Sequence, residues 1–128
     1  GLKGKKRFAL LDTSGLTDGI PEESMIRRAM AQTLAQVREA AVILHLIDAS
    51  SVGKHGAVEA VGQVDWQVAQ FGGMRTGYAI LANKMDLPEA ADGLVQIRRE
   101  FPGHVILPIS ALLKTGFAEV KQFVWHHL

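Results

Sequence analysis

Cysteine is absent from the 128 residues, which excludes disulfides, thiolate-bound zinc and cysteine nucleophiles. Long apolar runs are absent as well. Nothing approaches the roughly 20 consecutive apolar residues of a membrane-spanning helix, and the first residues lack the apolar core of a signal peptide. A soluble, cytoplasmic protein with no membrane partner is the expectation. Neither sign of charge is in excess: 14 Lys and Arg stand against 13 Asp and Glu, a net charge of +1, so long-range attraction to nucleic acid is not implied. The one basic cluster, Lys3, Lys5, Lys6 and Arg7, precedes an apolar run and reads as a solvated approach to a strand. What the chain does contain is 48% hydrophobic and 21% charged residues, an ordinary balance for one globular domain with a core.

Short apolar runs alternate with longer amphipathic ones. Arg7 to Leu11 reads as a strand closed by the polar set Asp12-Thr13-Ser14-Gly15. Pro21, Glu22 and Glu23 suit a helix start, and Met25, Ile26, Met30, Leu34 and Val37 recur at helical spacing, which predicts a helix over Glu22 to Glu39. Ala41 to Ile47 is apolar almost throughout, the pattern of a strand buried on both faces in a parallel sheet. Asp48-Ala49-Ser50-Ser51 reads as its terminating loop. A helix over Ala57 to Phe71 follows, closed by Gly72-Gly73. Then come a strand over Gly77 to Ala82, a loop over Asn83 to Pro88 and a helix over Glu89 to Phe101. A strand over Val105 to Ile109 and a loop over Ser110 to Lys114 lead to a last helix, Thr115 to His127, with Phe117, Val120, Phe123 and Val124 inward. The alternation predicts an α/β fold, a mostly parallel sheet with helices on both faces and right-handed crossovers.

In such a sheet, ligands bind outside the carboxyl ends of the strands. The loops at that edge are Asp12-Thr13-Ser14-Gly15, Asp48-Ala49-Ser50-Ser51, Asn83-Lys84-Met85-Asp86 and Ser110-Ala111. Away from this edge, His45, His55, His104, His126 and His127 show no metal-ligand spacing. His45 within its apolar strand reads as a satisfied core histidine, His126 and His127 as solvent-exposed, and Trp66 and Trp125 as packing groups.

The order Asp-x-x-Gly, Asn-Lys-x-Asp, Ser-Ala resembles the third, fourth and fifth motifs of the small GTPase fold. Leu11-Asp12-Thr13-Ser14-Gly15-Leu16, His45-Leu46-Ile47-Asp48-Ala49-Ser50 and Ala82-Asn83-Lys84-Met85-Asp86-Leu87-Pro88 are similar in wording to the bacterial Obg and Era group. The resemblance covers almost the whole chain and implies a partial P-loop-NTPase-like three-layer fold binding GTP or GDP with Mg2+. Asn83 is implied to touch the guanine and tie loops together, Lys84 to lay its stem over the base or ribose, and Asp86 to read the base. Ser110 and Ala111 resemble the pair whose backbone N–H meets the guanine O6. Asp12 is implied to hold magnesium through a bound water, and Gly15 to offer its N–H to the γ-phosphate. Leu16 to about Ser24 would form a switch that reorders on hydrolysis. Ribosome or protein effectors are frequent in the group, and nothing in these residues selects one.

The chain departs from the family in three places. Ser14 stands where the Obg and Era group usually has proline. Leu16 follows the glycine where many GTPases carry a water-orienting glutamine, and Gln32 and Gln36 lie too deep in a helix to replace it, so no catalytic residue is assignable. No Gly-x-x-x-x-Gly-Lys-Ser/Thr loop occurs, and Gly53-Lys54 is a poor imitation because His55 follows the lysine. The family's first strand, phosphate loop and first helix have no counterpart, so residues 1–128 read as the carboxyl-terminal part of a G domain. The first strand normally lies between those matched by Arg7 to Leu11 and Ala41 to Ile47. A central gap or a rearranged pairing is expected in its place. Three explanations stand: a segment of a longer GTPase, which is favoured; a degenerate, nucleotide-independent G-domain interaction module; or a gap filled by another chain. A flavodoxin-like or response-regulator-like domain using Asp12 and Asp48 for magnesium ranks last, since it leaves Asn-Lys-x-Asp unexplained.

Overall fold

The computed structural model describes residues 8–12, 40–74 and 77–128. The expected helix from Glu22 to Glu39 and the candidate residue Gly15 lie outside them. Among the described residues four strands form one sheet in the order β1-β2-β3-β4: β1 is Phe8–Asp12, β2 Val42–Asp48, β3 Tyr78–Asn83 and β4 Val105–Pro108. All neighbours are parallel, with Leu10 opposite Leu44, Asp48 opposite Asn83 and Leu81 opposite Leu107. β1 bonds directly to β2 along its whole length, so the pairing is the rearranged one and leaves no gap.

Side chains alternate across the sheet as a period of two requires. Leu11, Ile43, Ile47, Ile80, Ala82 and Ile106 face one layer of helices. Val42, Leu44, Ala79 and Leu81 face the opposite layer. Ile43, Ile80 and Ile97 are fully buried, each worth about 1.5–3 kcal/mol of apolar transfer. The first layer holds α1 (Ala49–His55), α2 (Ala57–Ala60), α3 (Gln63–Gly72) and α4 (Ala90–Glu100). Among the described residues the second holds α5 (Phe117–His127), which packs Val120, Phe123 and Val124 against the sheet. Phe8 and Leu10 on that second face remain 55% and 57% exposed.

Several expectations require correction. Ala49 to His55 is a helix, not a loop. Asp48 caps it by accepting the Ser51 N–H, so the chain passes from strand to helix without a turn. The single helix expected over Ala57 to Phe71 is two, broken at Val61 and Gly62, where the backbone is extended. The last helix starts at Phe117, since Thr115 is bridged to Ser110 and Gly116 adopts φ 81°. A Cβ at Gly116 would also meet the Pro108 carbonyl oxygen at 2.4 Å. Phe117 is 36% exposed and Trp125 70% exposed, so neither is the packing group expected. Trp66 does pack, stacked on Phe101 with ring centroids 4.6 Å apart.

Gly53 lies inside α1 and serves helix packing. A Cβ there would sit 1.9 Å from the Glu89 carbonyl oxygen, and one at Gly93 would sit 1.7 Å from that of Ala49. Two glycines thus let α1 and α4 cross backbone to backbone. His45 is fully buried. Its Nε2 lies 2.8 Å from Asp65 Oδ1 and its Nδ1 2.8 Å from the Tyr78 hydroxyl. All three groups are satisfied when Nε2–H donates to the carboxylate and Nδ1 accepts the phenol proton. Asp65 Oδ2 accepts the Gly62 N–H at 2.9 Å, so one carboxylate joins the start of α3 to the middle of β2. Burial, and secondarily the Asp65 carboxylate, pushes the Tyr78 hydroxyl far above its ordinary value.

Candidate functional site

The carboxyl ends of the four strands share one edge, because the sheet is wholly parallel. Asp12 ends β1, Asp48 ends β2 and Asn83 ends β3. Ser110 and Ala111 come two and three residues beyond β4. Asp12, Asn83, Ser110 and Ala111 were sequence-derived candidates, together with Lys84, Asp86 and Gly15. The structure brings the first six of these along one edge and does not describe Gly15.

The loop after β3 is closed locally. The Leu87 N–H donates to the Lys84 carbonyl at 3.0 Å, and the Met85 N–H donates to the Ile109 carbonyl at 3.1 Å. Lys84 itself has φ 68°, a left-handed conformation uncommon for a residue with a Cβ. The loop after β4 is tied back by paired backbone bonds between Ser110 and Thr115, each 3.1 Å.

Side chains then join the two loops. The Ser110 hydroxyl, 1% exposed as a residue, donates to Asp86 Oδ1 at 2.7 Å and accepts the Leu113 N–H at 3.0 Å. The Ala111 N–H donates to Asn83 Oδ1 at 3.1 Å. The pair expected to offer backbone N–H groups to a ligand therefore has both of them bonded within the protein, Ser110 to Thr115 and Ala111 to Asn83.

One further residue belongs to this edge and was read from sequence only as a strand-ending position. Asp48 Oδ2 holds the Lys84 ammonium at 2.9 Å. Its Oδ1 accepts the Ser50 hydroxyl at 2.6 Å and the Ser51 N–H at 3.1 Å. Partial burial pushes the Asp48 carboxyl up, but the bonds from Ser50, Lys84 and Ser51 together outweigh it and hold the group below its ordinary value. The hydrogen bond from Asp48 raises the Lys84 ammonium. The Asp48 charge adds to this, and the Asp12 and Asp86 charges do so to a smaller extent. An aspartate at the end of an apolar run, with serines two and three residues on, is an N-cap signal that the reading of this segment as a loop passed over.

Magnesium could be held at Asp12 alone. Among the described residues no group of three or more His, Cys, Asp or Glu forms a metal cluster. Asp12 is exposed at the strand-end edge, and one carboxylate reaching magnesium through water fits a cation that keeps most of its waters. Two open grooves flank α5, one lined by Phe8, Leu44 and Val124 and the other by Leu107, Phe123 and His126; neither includes a residue of the strand-end cluster. No described helix is long and apolar enough to cross a membrane.

No family model matches the chain. A GTPase Obg from Limosilactobacillus reuteri is 28% identical over 124 residues, covering 90% of this chain and 28% of that protein. A GTPase Obg from Listeria welshimeri is 31% identical over 120 residues, covering 90% of this chain and 27% of that protein. The crystal structure of a probable GTP-binding protein engB aligns with a TM-score of 0.62 at 16% identity, over 85% of this chain and 69% of that one. The chain thus spans little more than a quarter of the length of the curated relatives it matches, at 27–28% of each, and it shares the fold of the engB protein.

Proposed function

We propose that this chain, whose fold is that of an Obg-like small GTPase, is the guanine-reading part of a GTP- and GDP-binding domain, its residues 1–128 forming the carboxyl-terminal portion of that domain. The observation that carries the reading is the junction of two loops far apart in sequence. Asn83 binds the Ala111 N–H and Asp86 receives the Ser110 hydroxyl. A carboxylate accepts about four hydrogen bonds, so Asp86 can hold Ser110 and still take the two N–H donors of a guanine. Ser110 fixes the carboxylate in place before any ligand arrives, which lowers the ordering cost of binding. The Ala111 N–H would reach a guanine O6 as a shared donor, dividing its bond with Asn83. The stem of Lys84 would lie along the ring face.

Asp12 would hold magnesium, and the ion when bound would neutralise phosphate charge. Hydrolysis of GTP belongs to a site that also has a phosphate loop. No residue of this chain is assigned to orient the attacking water, and ribosome or protein effectors remain proposals from the Obg likeness alone.

A thermal melt of the 128-residue chain with GDP and magnesium, with ADP as control, tests the reading. A ligand that binds only the folded state raises the midpoint by mass action. The expected result is a rise with GDP, none with ADP, and loss of the rise in Asp86→Ala. An equal response to GDP and ADP, or no response to either, overturns it in favour of a nucleotide-independent module.

A further inference from the structure

We propose that Asp48 is a positioning residue of the guanine site: it pins the Lys84 side chain across the strand-end edge, so that the lysine stem forms a fixed wall for the purine ring. The inference rests on the guanine reading above and extends it to a residue on a different strand.

The geometry carries it. Asp48 and Asn83 are register partners at the ends of β2 and β3. The chain turns immediately after Asn83 into a left-handed residue, Lys84. That turn sends the lysine side chain back toward β2, where its ammonium meets Asp48 Oδ2 at 2.9 Å. Asp48 is itself immobilised, since its other oxygen takes the Ser50 hydroxyl and the Ser51 N–H at the start of α1. A long side chain that is 53% exposed would otherwise sample many rotamers. Anchored at both ends, it presents its methylenes in one place. Asp86, the base-reading carboxylate, sits two residues further along the same loop.

The test uses the 128-residue chain in four forms: unchanged, D48N, K84M and the double variant. Asn is as good an N-cap as Asp and keeps the Ser51 bond, so α1 is retained. A melt without ligand checks folding, and Asp48→Ser, another uncharged cap, replaces Asn if the first variant unfolds. Two readouts are taken. The first is the Lys84 ammonium signal by NMR at mildly acidic pH, which is visible when an ion pair slows exchange with water. The second is GDP affinity by calorimetry. The expected result is that D48N abolishes the Lys84 signal. It also weakens GDP binding about two- to fivefold, the range that a part-exposed ion pair supplies, and has no further effect in the K84M background.

A Lys84 signal that persists in D48N overturns the proposal. So does unchanged GDP affinity once the signal is lost. Equal weakening by D48N with and without K84M would mean that Asp48 acts through the fold and not through Lys84, which also overturns it. An unchanged chain that binds no GDP refutes the guanine reading, and the positioning role falls with it. That failure is told apart because it is seen before any substitution.

Discussion

Gly93→Ala probes the contact that seats α1 on α4. The added Cβ would lie 1.7 Å from the Ala49 carbonyl oxygen and 2.9 Å from the Gly53 nitrogen. Both are backbone atoms, which cannot swing aside as a side-chain tip can. An ordinary contact starts at 3.4 Å, so the two helices must part by most of the missing distance. Overpacking of this kind costs about 1–3 kcal/mol. Alanine in a helix interior recovers about 1 kcal/mol of backbone propensity over glycine. With backbone atoms on the far side the cost falls in the upper part of that range, about 2–3 kcal/mol, and the balance is a loss of about 1–2 kcal/mol. For a domain of this size a change of 1 kcal/mol moves the midpoint by roughly 4 °C, so Gly93→Ala should melt about 4–8 °C lower by far-ultraviolet circular dichroism. Gly53→Ala should behave alike, since its Cβ meets the Glu89 carbonyl oxygen at 1.9 Å. A midpoint equal to or above that of the unchanged chain would refute the reasoning, because propensity alone would then govern the site.

The remaining predictions concern buried polar groups and exposed rings. His45→Leu removes the Nε2–H bond to the buried Asp65 carboxylate, 2.8 Å away, and losing one partner of a buried hydrogen bond costs about 1–3 kcal/mol; urea unfolding should show it, and an unchanged stability would contradict the network. Tyr78 is the single tyrosine, and burial raises its folded value above the ordinary 10.0. A raised folded value supplies stability that is complete below pH 10 and is lost as pH climbs through the folded value, so tyrosinate absorbance should appear together with unfolding. Tyrosinate forming in a chain whose circular dichroism is intact would count against this. Asp48 has a lowered folded value against an ordinary 3.8. Its contribution is complete above that pH and vanishes as pH falls through the folded value, so D48N should melt with a flatter acid limb below about pH 4. Acrylamide should quench Trp125, which is 70% exposed, far more than Trp66, which is stacked on Phe101; comparison of Trp125→Phe with Trp66→Phe reads each ring separately.

The strands were legible because burial on both faces leaves an apolar run with few alternatives, and β2 and β3 fall within one residue of their expected spans. The loops that follow β3 and β4 were legible for a different reason: Asn83, Asp86 and Ser110 are polar residues placed where a parallel sheet collects its loops. α1 was not legible. Its seven residues include two serines and a glycine, carry no helical stripe, and are held by a cap and a glycine contact made with a helix 40 residues later in the chain. Asp48 was visible as a strand end, but its partner was not, because Lys84 reaches it only through a left-handed turn that lysine rarely takes. Trp125 was assigned to packing by its helical spacing, but the residues of α5 that meet the sheet are Val120, Phe123 and Val124, and Trp125 is left exposed.

The direct β1–β2 pairing bears on how far the base-reading half can stand alone. Its bonds are closed on themselves: Asn83 to Ala111, Asp86 to Ser110, Met85 to Ile109, Ser110 to Thr115. All of them lie within or between the loops that follow β3 and β4. The ion pair from Lys84 to Asp48 carries this set toward β2, the strand that β1 pairs with. K84M should therefore remove the tie to β2 while Asp86 and Ser110 keep their bond, which the chemical shifts of the two loops would read.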